Sequence, residues 1–248
     1  MDANLEPVNA SVSLRALASL LAYPDKQLRA HLPALREALH AEGALPASRL
    51  AELDELAEWL SGAGNAADPS DELEVEAAYV ELFDRGRSTC LHLFEHVHGD
   101  SRDRGPAMID LAQTYEKAGL YLAPGELPDY LPVVLEFVST QPPREARDFL
   151  AEMAHIFNVM YSALRQRQSG YAGVLGALLD LAGETAQPVE FVAEEPLDAS
   201  WSEPAVFGGC SSQGQVGPGQ AQPIQILRKD GLNRNALTRD AINTGVSA

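Results

Sequence analysis

Apolar residues recur at helical spacing along most of the chain, and Pro or Gly punctuates the segments between them. Leu14, Leu17, Leu20 and Leu21 form one stripe, stopped at Tyr23-Pro24 because a residue preceding proline disfavours the α region. Asp25 is placed to cap a second helix through Leu28, Leu32, Leu35 and Leu39, with Gly43 beyond its end. Ser48 is the expected cap of a third helix, carrying Leu50, Leu53, Leu56 and Leu60. Asp68-Pro69 opens a fourth, in which Val75, Ala78, Tyr79 and Leu82 follow i, i+3, i+4, i+7. Met108, Leu111, Ala112 and Tyr115 repeat that spacing, and Gly119 supplies a left-handed stop. Pro142-Pro143 should open the longest helix, with Phe149, Met153, Ile156, Phe157, Met160 and Leu164 buried on one side. Tyr171 to Leu181 is apolar on most faces and should be the most enclosed helix. No segment alternates apolar and polar residues convincingly, so the expected class is all-α.

The pattern changes from Gln187 onward. Residues 204–227 carry no charge and hold five Gly, five Gln and three Pro, too little apolar surface to offset the entropy of ordering. The expected organisation is a flexible N-terminus over 1–11, one multi-helix domain over 12–185, and a mostly disordered tail over 186–248. Within that tail Ile224 to Lys229 turns from apolar to basic and could dock back on an acidic body.

Charge narrows the partners. Thirty-six Asp and Glu against eighteen Lys and Arg leave −18, which opposes binding to nucleic acid or anionic membrane faces. Cys90 and Cys210 lie too far apart in sequence for a disulfide framework and suit a reducing compartment. The stretch MDANLEPVNASVS lacks the basic region and apolar run of a secretory signal, and no apolar stretch approaches the roughly 20 residues a bilayer needs. A cytoplasmic protein without membrane insertion is the expectation.

Candidate chemistry is sparse. Cys90, His92, His96 and His98 are soft-metal donors crowded into one segment, but their spacing suits no single site. In a helix His92 and His96 would share a face while Cys90 projects elsewhere. Asp84-Arg85-Gly86-Arg87 and Arg102-Asp103-Arg104-Gly105 bracket that segment with paired cations, which either hold an anion or pair with the neighbouring aspartates. Between Glu52 and Asp84 stand eleven acids and no Lys or Arg, either a solvated face or a field that steers a basic peptide. Nucleotide-binding glycine motifs and a nucleophile elbow are missing, leaving an enzyme built on His92, Glu95, His96 and Arg104 as the weaker alternative to a binding protein.

Tyr79-Val-Glu-Leu-Phe83-Asp-Arg-Gly-Arg-Ser, followed by Leu91-His-Leu-Phe-Glu-His-Val-His-Gly-Asp-Ser-Arg-Asp-Arg-Gly105, resembles the molybdenum-cofactor assembly chaperones of respiratory nitrate reductase, often called its delta subunit. The likeness continues through Met108 to Gly119 and Glu126 to Phe137, and spans about residues 12–182. Its wider class, the redox-enzyme maturation chaperones, is all-helical and non-catalytic and binds the N-terminal leader of a molybdoenzyme subunit. In that class one loop carries Glu-Pro-x-Asp-His. Here Glu126-Leu127-Pro128-Asp129-Tyr130 displaces the proline and replaces the imidazole, keeping the acidic anchor. The resemblance implies a protein with no cofactor of its own. Its implied partner is the catalytic (alpha) subunit of the reductase, bound through its N-terminal leader-like peptide, and it leaves open contact with the cofactor-delivery machinery and a structural subunit's role. Tyr79, Phe83, His92, Glu95, His96, Arg104, Tyr115, Glu126, Asp129 and Tyr130 are the expected peptide-binding residues.

Overall fold

A computed structural model describes residues 8–62, 69–99 and 101–187. The chain divides into two units, Met1–Leu197 and Asp198–Ala248, and every described residue belongs to the first. The expected tail therefore lies outside the described residues.

Among the described residues the regular elements are ten α-helices: α1 Ser11–Leu20, α2 Lys26–Glu42, α3 Ala47–Leu60, α4 Pro69–Phe83, α5 Leu93–His98, α6 Arg104–Lys117, α7 Leu131–Ser139, α8 Pro143–Glu152, α9 Ala154–Gln166 and α10 Ala172–Ala182, with a 3-10 turn at Arg87–Thr89. The only extended pairing among them is an isolated antiparallel bridge between His92 and Tyr130. The all-α expectation holds.

Helix α2 ends at both sides as the sequence chemistry expects. Asp25 caps α2 by accepting the Leu28 N–H at 2.8 Å, and Gly43 closes it in the left-handed conformation. Two expectations fail. Ser48 does not cap α3, which starts one residue earlier after Pro46, whose fixed φ makes the extended entry by itself. The long helix expected after Pro142-Pro143 is two helices, separated at Met153 by a tight turn in which Met153 N–H donates to the Leu150 carbonyl at 3.2 Å.

Helix α10 sits at the centre, packed against α3, α8 and α9 and touching α1, while α1 lies between α2 and α7. Nine residues of α10 are buried, from Ala172 through Leu179 together with Ala182, which makes it the most enclosed helix as its composition predicts. Leu14, Leu17, Leu20 and Leu21 of the first stripe are all buried against this body. Each fully buried Leu side chain contributes roughly 1.5 to 3 kcal/mol relative to exposure. No helix among the described residues is long and apolar enough to cross a membrane.

Candidate binding surface

The site is assembled where two distant segments meet. Leu131 N–H donates to the Leu91 carbonyl at 2.8 Å and Leu93 N–H to the Asp129 carbonyl at 3.0 Å, flanking the bridge between His92 and Tyr130. This short ladder closes the base of an excursion made of α5, α6 and the loop to α7. The excursion is thinly packed: Tyr115 alone is buried in α6, while Val97, Ile109, Tyr121 and Leu127 are exposed.

Asp129 is the staple. Its side chain is 0% exposed, and a buried carboxylate is tolerated only when satisfied by partners. One oxygen accepts the Phe94 N–H at 3.2 Å, supplying the N-terminus of α5 with a cap from another segment. The other faces His92 Nδ1 at 3.3 Å. Arg104, in the first turn of α6, reaches Asp129 at 3.7 Å and Glu95 at 3.4 Å, tying α5, α6 and the loop into one unit.

Beneath lies an aromatic floor. Tyr79 donates to the Leu21 carbonyl at 2.9 Å, and Tyr130 lies 3.4 Å from its oxygen. Tyr79 also packs on Phe83, and Phe83 edge-on against Tyr171. Tyr115 donates to the Pro128 carbonyl at 2.8 Å, holding the residue before Asp129. Burial raises the pKa of Tyr79, Tyr115 and Tyr130, so all three hydroxyls remain protonated donors.

The ten expected residues thus divide. Tyr79, Phe83, Tyr115 and Asp129 are buried and form floor and staple, while His92, His96, Arg104 and Tyr130 are half-buried above them, with Glu95 exposed alongside. Glu126 is not brought to this group: it is exposed, and its carboxylate accepts the Ala123 N–H at 2.9 Å, closing its own turn.

Several local expectations need correction. His92 does not share a helix face with His96, because α5 begins only at Leu93 and His92 is held extended by the bridge. His96 Nε2 lies 2.8 Å from the Cys90 carbonyl and His98 stacks edge-on against Phe94, so the histidines face different partners. No group of three metal-donor side chains is assembled among the described residues. Burial, with the Glu95 carboxylate adding to it and the His92 amide opposing, pushes the Cys90 thiol up to about 12. The arginines do not pair with their neighbouring aspartates: Arg85 takes Glu81 at 3.2 Å and Arg104 takes Glu95 and Asp129.

The acidic run is less free than its sequence suggests. Arg29, with a side chain only 10% exposed, bridges Glu72 and Glu76 at 3.0 Å each, Arg36 and His40 hold Asp54 at 2.9 Å, and Arg49 holds Glu52. Glu72 is therefore a tie between α2 and α4. Arg49–Glu52 is a local i,i+3 pair, but the others join residues 14 to 47 apart in sequence, and no local signal announces them.

Comparison with known proteins agrees with this architecture. The family model described as nitrate reductase delta subunit matches residues 23–175. The chain is 40% identical over 205 residues, 79% of its own length and 84% of the relative's, to the nitrate reductase molybdenum cofactor assembly chaperone NarJ of Escherichia coli (strain K12). It is 30% identical over 175 residues, 71% of its own length and 90% of the relative's, to a probable chaperone of the same name in Bacillus subtilis (strain 168). A crystal structure of a putative redox enzyme maturation protein from Archaeoglobus fulgidus shares the fold, with a TM-score of 0.50 at 19% identity over 74% of this chain and 99% of that one. With its sequence matched across most of the helical body and its fold shared, the chain belongs to the nitrate reductase delta subunit family.

Proposed function

We propose that this protein is a cytoplasmic assembly chaperone for a respiratory nitrate reductase. It holds the apo catalytic subunit through that subunit's N-terminal segment and keeps it receptive to the molybdenum cofactor until assembly at the membrane. It is not an enzyme. The observation that carries the reading is the excursion closed by the His92–Tyr130 bridge: it exposes Val97, Ile109, Tyr121 and Leu127 beside half-buried polar side chains over a buried aromatic floor. An amphipathic helix is recognised by laying its apolar face on such a surface. Its basic end would meet Glu95, and acids of α4 that pair with no cation among the described residues, such as Glu74, would favour its approach.

The family's title invites a second reading, a permanent subunit of the reductase. Affinity purification from cells making the reductase separates the two. A chaperone is recovered with the cofactor-free catalytic subunit and is absent from the mature complex. Stoichiometric recovery with the active, membrane-bound enzyme would establish the permanent subunit instead.

A further inference from the structure

Helix α7 starts at Leu131, beside the His92–Tyr130 bridge, and α10 starts directly after Tyr171, which packs against the aromatic floor. Their C-terminal ends lie about 12 and 15 Å further on, at 1.5 Å of rise per residue. There they meet the first turn of α1 and the first two turns of α8, and together border a cavity of about 170 Å³. Its walls include Leu14, Val138, Ala146, Leu150 and Leu181, one or two from each of the four helices. An apolar cavity of about 150 Å³ is enough to hold benzene. No lining residue belongs to the candidate binding surface.

The polar end of the cavity is Arg147. Its Nε donates to the Ala182 carbonyl at 3.3 Å, closing the C-terminus of α10, and its guanidinium lies across Gly183. Gly183 stands in the left-handed conformation, φ 79°, and a Cβ there would strike Nη2, so glycine serves both the helix end and the seat of the arginine. Closing the helix uses Nε. The terminal nitrogens meet no carboxylate among the described residues, neither Glu145 nor Asp148 of the same helix nor Asp180. Asp180, the one acid lining the cavity, is held by Arg49 at 2.9 Å. Its charge is thus answered from outside the cavity, while that of Arg147 is not, in a chain of charge −18. Two adjacent guanidinium nitrogens match the two oxygens of a carboxylate. We propose that this cavity is a ligand site for a small carboxylate with an apolar body about the size of a benzene ring, the carboxylate on Arg147 and the body against Leu14, Val138, Ala146, Leu150 and Leu181.

Ligand-dependent melting of the full chain tests this, with phenylacetate as the probe and 2-phenylethanol and 2-phenylethylamine as its neutral and cationic counterparts at equal ionic strength. A molecule that binds only the folded state raises the melting temperature with its concentration according to its affinity. Phenylacetate should do so, with an affinity that falls about fivefold or more in Arg147→Gln, because the charge-assisted pair is lost. Both counterparts should bind the parent about fivefold or more weakly than phenylacetate for the same reason. Each variant is read against its own ligand-free melting temperature, so any stability lost with the Ala182 contact does not enter the comparison. No rise with phenylacetate, an equal affinity in Arg147→Gln, or equal binding of either counterpart would each overturn the proposal.

Discussion

Asp129 has no exposed surface, so its influence on a client runs through what it holds: the start of α5, His92 and Arg104. Charge-assisted hydrogen bonds of this kind are worth about 1.5 to 3 kcal/mol, and exposed ion pairs about 0 to 1. Asp129→Asn is expected to lower client affinity about tenfold or more, since each 1.4 kcal/mol is tenfold, and to lower the melting temperature as the staple loosens. Glu126→Gln, which alters only an exposed turn, should change affinity less than about twofold, measured by the same titration. Equal, small effects would mean that the staple does not organise the surface. Cys90 gives a second prediction. With its thiol raised to about 12, it should resist alkylation in the native Cys210→Ser protein at pH 8 and react on denaturation, as mass spectrometry would read. The motif singles out Asp129 as a candidate anchor. Its burial is not legible there, because it depends on the pairing of His92 with Tyr130 across the excursion.

Helices α3 and α10 approach closely because α10 presents glycine where α3 crosses it. Gly173 faces Glu52, and Gly176 lies under the Arg49 guanidinium, which reaches Asp180 at 2.9 Å. A Cβ at Gly176 would meet that guanidinium directly. Gly176→Ala should therefore push the guanidinium off Asp180 at a cost of about 0 to 1 kcal/mol, which a helix-propensity gain of about 1 kcal/mol offsets, so denaturant unfolding should show little net change. With Arg49→Ala already present the propensity gain should appear by itself as stabilisation, and its absence would place a clash elsewhere. At this scale the leucine stripes and the caps at Asp25 and Gly43 were legible, because helical period and capping chemistry are local. The break at Met153 was not: neither Gly nor Pro marks it, and separate packing of α8 and α9 on α10 overrides a continuous apolar stripe. Ser48 misled for a related reason, since Pro46 two residues earlier already sets the entry to α3.

Across the described residues part of the acidic charge is organised, with Glu52, Asp54, Glu72 and Glu76 of the acidic run tied to arginines of α2 and α3. At Asp54 burial works against ionisation, but hydrogen bonds from Arg36 and His40 outweigh it and lower the pKa. A carboxylate with a depressed folded pKa contributes stability that is complete above its unfolded value of about 3.9 and is lost as pH falls through the folded one. Acid unfolding should accordingly be less steep in that range for Asp54→Asn than for the parent, as thermal melts between pH 5 and 2 would show. The proposed boundary of the helical domain near residue 185, with residues 204–227 free of charge, also predicts that a non-specific protease first cuts in that Gly- and Gln-rich stretch. The central claim is that the excursion above the aromatic floor receives the N-terminal segment of a reductase catalytic subunit. Calorimetric titration of the full chain with a peptide copying that segment tests it most directly. Binding should be one-to-one with a negative heat-capacity change, and Asp129→Asn should weaken it tenfold or more. No binding of that peptide, or binding that Asp129→Asn leaves untouched, would contradict it.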